Sequence, residues 1–148
     1  LCIIFGSSVA QAAPKLKVDQ LLELIQSEQT PTGVKRFHKT KKGLDSCRWR
    51  SIVFNEGGVR YEIKARCDGV VVETFSQKGS RTEIEDLDAD GRVDEGDSSD
   101  SGGANEQFFR SAEGKYGSLV VIEGIEYQAY FQRLFDRAIE AGLKRFHK

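Results

Sequence analysis

The chain contains no methionine, one tryptophan, two histidines and three cysteines among 148 residues. Each scarcity narrows the reading. The two histidines, His38 and His147, both sit in basic KRFHK segments. No G-x-S-x-G, H-E-x-x-H, phosphate-cradling or dinucleotide-binding pattern accompanies them. The chain therefore shows no catalytic signature. No apolar run approaches the ~20 residues a membrane span needs. Net charge is −1, so no global bias toward nucleic acid or anionic lipid exists.

The missing methionine bears on the N-terminus. Residues 1–15 read LCIIFGSSVAQAAPK, an apolar stretch running into small residues and Ala10-Gln11-Ala12. That pattern matches the h-region and A-x-A cleavage site of a signal peptide, read as entered part-way along. Cleavage after Ala12 would send residues 13–148 outside the cytoplasm, to periplasm or medium, as one small domain without a transmembrane segment. The mature chain would keep two cysteines, Cys47 and Cys67, and an even pair in an exported protein suggests a disulfide.

What is present is organised in blocks. Residues 17–28 (KVDQLLELIQSE) carry apolar residues at helical spacing, with Asp19 a candidate cap. Residues 30–43 are polar, basic and broken by Pro31, Gly33 and Gly43, which predicts a loop. Two alternating segments, 46–54 and 59–67, flank Glu56-Gly57-Gly58. A three-residue hairpin loop would set Asn55 against Val59, Val53 against Tyr61 and Cys47 against Cys67. Asp68-Gly69 predicts a second tight turn, and strands at 70–76 and 81–86 follow. Gly96–Gly103 (GDSSDSGG) reads as low-complexity loop. Tyr127, Tyr130, Phe131, Leu134, Phe135 and Ala138 form an apolar stripe on a helix over 125–141, stopped by Gly142. The expected fold is α+β: an antiparallel meander of about four strands against a C-terminal amphipathic helix, with a short N-terminal helix.

Charge is unevenly placed. Residues 35–50 hold seven Lys/Arg and one Asp, whereas 83–100 hold nine Asp/Glu and one Arg. The densest stretch is DLDADGRVDEGD at 86–97. Its carboxylates repel one another unless something neutralises them. A hard cation such as calcium takes six to eight oxygens, and a short loop supplies them through alternate side chains around a sharp turn. Asp86, Asp88 and Asp90 occupy positions 1, 3 and 5 of such a loop, and Gly91 permits the turn. Arg92 offers its carbonyl, Val93 an apolar anchor, Asp94 a direct or water-mediated ligand, and Asp97 closure. Over these twelve residues the chain resembles the EF-hand-type calcium loop and the DxDxDG loops of exported bacterial proteins. Two positions depart from that pattern: Asp97 stands where a longer Glu is usual, and Ser98 where a second helix normally begins. The resemblance thus implies a loop without the helix–loop–helix frame, a structural site rather than a switch, and weak affinity of roughly 10⁻⁴–10⁻³ M.

Three functions follow as expectations. The first is an exported calcium-binding module in structure or interaction, its partner a protein or polysaccharide at the cell surface. The second is a small hydrolase using calcium for stability. The third is a polyanion-binding protein using Lys35, Arg36, Lys39, Lys41, Lys42, Arg48 and Arg50, although without interleaved aromatics nucleic acid is disfavoured. GVKRFHK (33–39) and GLKRFHK (142–148) match at six of seven residues, too few copies for a repeat fold.

Overall fold

A computed structural model describes residues 2–31, 36–39, 50–66, 69–99, 105–109, 121–122 and 125–147. Helix α1 (Cys2–Gln26) opens the chain. Strands β1 (Arg36–Lys39), β2 (Arg50–Glu56), β3 (Val59–Ala65), β4 (Val70–Ser76), β5 (Arg81–Asp86), β6 (Glu95–Ser99) and β7 (Asn105–Phe109) follow. They form one antiparallel sheet in chain order, a seven-stranded meander. Two short strands, β8 (Val121–Ile122) and β9 (Ile125–Glu126), pair separately and lead into α2 (Tyr127–Lys144). The α+β class is as expected; the sheet is larger.

The extra strands lie where polar composition predicted loop. β1 falls in the basic 30–43 stretch and β6 takes Gly96–Ser99 from the low-complexity run. Strand pairing uses main-chain groups, so polar side chains do not forbid it. The Thr82 and Ser98 hydroxyls even pair across β5 and β6, 3.1 Å apart.

The first hairpin is displaced by one residue from expectation. Glu56 faces Val59 and Asn55 faces Arg60, leaving a two-residue Gly57-Gly58 turn. Both glycines have positive φ (58° and 77°). A type I′ turn demands that, and its twist matches the strands. The slip sets Ile52 beside Ile63 and Phe54 beside Tyr61, whose rings stack 5.2 Å apart. The predicted pairing of Cys47 with Cys67 lies outside the described residues.

Both helices also differ from the expected bounds. α1 runs unbroken from Cys2 through Pro14, so Asp19 lies inside it and pairs with Lys15 rather than capping. α2 continues past Gly142. That glycine does not stop the helix. A Cβ there would lie 2.8 Å from Ile63 Cδ1 and 3.0 Å from Leu21 Cδ2. It lets α2 approach both the sheet and α1.

The core forms between the helices and one sheet face. Ile52, Ile63, Val72 and Ile84 make a cross-strand row, all fully buried. Val18, Leu21 and Ile25 of α1 cover it together with Phe131, Phe135, Ala138 and Ile139 of α2. Within the predicted stripe of α2, Phe131, Phe135 and Ala138 are core, and Tyr130 and Leu134 pack partly buried against it. Gly96 continues the row on β6, where a Cβ would stand 2.5 Å from the Phe131 ring. Gly96→Ala should lower stability by roughly 1–3 kcal/mol through overpacking, measured by urea unfolding. An unchanged midpoint would contradict this packing.

Candidate metal centre

The loop joining β5 to β6 begins at Asp86, the last residue of β5. In the sheet register Asp86 continues the row Ala65–Val70 on the helix-covered face. Its side chain is accordingly 0% exposed. A carboxylate there loses its hydration and must find donors within the fold. The loop supplies them: the Asp90 and Gly91 N–H groups donate to Asp86 Oδ1 (3.2 Å) and Oδ2 (2.8 Å). The Arg92 N–H donates to Asp90 Oδ1 (2.8 Å), and the Leu87 N–H to Asp94 Oδ2 (2.6 Å). Left-handed residues at Ala89 (φ 55°) and Gly91 (φ 88°) curl the chain so that these amides point inward.

Carboxylate oxygens of Asp86, Asp88 and Asp94 all lie within 4.8 Å of one another. Asp86 and Asp94 are buried and Asp88 is exposed, so the cluster opens to solvent on one side. At such separations two carboxylates repel by about 3–4 kcal/mol at an effective dielectric of ~20. Asp86 shows the consequence. Burial, a hydrogen bond shared with Asp88 and the charge of Asp90 outweigh the two loop amides and push it up to about 7. A carboxyl in that condition takes either a proton or a cation.

Of the predicted ligands, the structure thus brings Asp86, Asp88 and Asp94 together. Asp90 is half-buried and turns back on the Arg92 amide; the Arg92 side chain is exposed. Asp97 stands apart. It lies in β6 opposite Glu83, on the sheet face away from the helices. The strand begins at Glu95, two residues before the slot where an EF-hand loop would close.

Two supports were not visible in the sequence. Gln132 of α2 accepts the Val93 N–H through Oε1 (2.9 Å) and donates Nε2 to the Gly91 carbonyl (2.9 Å). Asp136, one turn on, accepts the other Nε2 hydrogen and orients the amide (3.0 Å). On the opposite side Gly91 abuts α1: a Cβ there would lie 2.8 Å from Lys15 N and 2.9 Å from Pro14 C. Lys15 in turn feels the charges of Asp90 and Asp86 after that of its own partner Asp19. An apolar-periodicity scan passes over Gln132, which merely borders the Phe131 stripe. Val93, the predicted anchor, is fully buried.

Comparison with known proteins finds no matching family model, no matching curated protein and no matching solved structure. No helix among the described residues is long and apolar enough to cross a membrane.

The raised Asp86 sets a pH dependence. The folded state holds a proton that the unfolded chain releases near pH 4, so this contribution is complete below that pH and lost as pH rises through about 7. In chelator, thermal stability should fall from pH 5 to pH 8. Asp86→Asn, though less stable throughout, should show a flatter profile. Parallel profiles for the two proteins would refute the assignment.

Proposed function

We propose that the protein is an exported calcium-binding module whose ion fastens the β5–β6 loop between the two helices, in a structural or interaction role. One observation carries this reading. A fully buried aspartate meets two further carboxylates within 4.8 Å, in a loop spaced as DxDxDG. A hard cation would take oxygens from Asp86, Asp88 and Asp94, which retain lone pairs beyond those given to loop amides. Loop carbonyls and water would complete the shell. With Asp97 placed in β6, a bidentate closing ligand is missing from that end, which fits weak, calcium-type coordination of an extracellular kind. Magnesium, needing a tighter octahedron, suits the loop less well.

Export rests on the sequence of residues 1–12 and on the cysteine pair. Secreted from a competent host, the protein should yield Ala13-Pro14-Lys15 on N-terminal sequencing, with Cys47 and Cys67 unreactive to thiol label until reduced. An intact residue 1 or two free thiols would remove this part of the proposal.

Calorimetric titration of residues 13–148 should give saturable calcium binding with Kd of roughly 10⁻⁴–10⁻³ M, and weaker magnesium binding. At 10 mM calcium the stabilisation should reach about 1.4–2.7 kcal/mol. Asp88→Asn, an exposed change with little effect on the apo fold, should weaken binding by about tenfold or more. Absence of both heat and thermal shift in the wild type would leave the cluster as a proton-sharing acidic turn.

A further inference from the structure

The outer face of the sheet is hollowed at the opposite end of β5 from Asp86. There the β2–β3 hairpin and the β4–β5 turn rise on either side of a groove of about 440 Å³. Asn55, Gly58, Arg60, Phe75, Ser76 and Gln77 line it. The volume falls within the roughly 300–1,000 Å³ typical of small-ligand clefts. Asn55, Arg60 and Phe75 are cross-strand neighbours, so one row supplies an amide, a guanidinium and a ring. The Arg60 guanidinium lies over the Phe75 ring, 5.5 Å from its centroid. Stacking of this kind holds the planar fork in place while leaving its N–H edges to solvent.

The contrast with Arg81 is informative. Arg81 is the next residue of the same row, on β5 directly opposite Phe75. It is committed to Glu83 (2.9 Å) and Glu73 (3.4 Å). Among the described residues Arg60 pairs with no carboxylate and no acidic residue lines the groove. The remaining polar lining is of groups that both donate and accept: two amides and a hydroxyl. Ser76 Oγ accepts the Ser80 N–H (3.0 Å) and keeps its own hydrogen to donate.

We propose that this groove binds a small hydroxylated carboxylate of the sugar-acid class. The Arg60 fork takes the carboxylate in two parallel hydrogen bonds. Asn55, Gln77 and Ser76 meet hydroxyls, each of which needs a donor and an acceptor in turn. Phe75 covers the apolar side of the ring. The site needs no metal and stands independently of the acidic loop.

The test is titration of the calcium-free protein with glucuronate, followed by amide chemical shifts. Glucose and acetate serve as the neutral and the hydroxyl-free arms. Saturable shifts at residues 55, 60 and 75–77 are expected, with Kd of about 1 mM for a ligand of this size. Both control ligands should bind about tenfold more weakly or worse, and Arg60→Gln should lose about tenfold or more while its melting temperature stays unchanged. Absent shifts, equal binding of acetate, equal binding of glucose, or an unaffected Arg60→Gln protein would each overturn the proposal.

Discussion

A single buried carboxylate organises the part of this fold that has chemistry. Asp86 ends β5 on the helix-covered face beside buried Val70 and Ile84, and it stays there because the next five residues curl round to give it two amides. That curl determines where Gly91 stands. Gly91 in turn backs onto Pro14 and Lys15 of α1 and offers its carbonyl to Gln132 of α2. Gly91 thus touches both α1 and α2, and that residue can only be glycine. Removing the carboxylate would release more than a hydrogen-bond pair. It would loosen the curl that sets Gly91 against both helices, leaving buried Val93 and its bond to Gln132 to anchor the loop.

Legibility in the sequence followed the physics of each element. Strand β4 was readable to the residue because a valine-rich run follows the strong turn signal at Asp68-Gly69. The stripe of α2 was readable because aromatics at helical spacing have few other uses. The hairpin register was not, since Glu56-Gly57-Gly58 admits a two- or a three-residue turn. Packing of Phe54 on Tyr61 decides between them, and it appears only once the strands are paired. Gly142 and Gly96 look like breakers in one dimension. In three dimensions each is the space that a neighbouring Ile63 or Phe131 occupies.

The acidic loop was legible in half. Three of the residues its spacing singled out, Asp86, Asp88 and Asp94, converge into one carboxylate cluster. The spacing misplaced Asp97, because a twelve-residue template assumes that a helix follows. Here β6 pairs with β5 from Glu95 onward, and pairing turns Asp97 to the opposite face. Gln132, 39 residues beyond Val93, was out of reach of any local pattern.

The two faces of the sheet meet carboxylate crowding in opposite ways. On the outer face Glu62, Glu73, Glu83 and Asp97 fall in one cross-strand row, and Glu73 is only 6% exposed. Burial pulls the Glu73 carboxyl up, yet Lys64 and Arg81 bond to it and outweigh that effect, so it titrates below the usual range. Lys64 and Arg81 thereby favour the ionised form of Glu73. At Asp86 burial wins instead, reinforced by Asp88 and the charge of Asp90, and the two loop amides fail to offset it. A fold that meant to keep this carboxyl ionised could have placed a lysine against it, as it does for Glu73. What the loop provides is two buried carboxyls and one facing solvent, an arrangement that an incoming cation can complete and a fixed side chain would block.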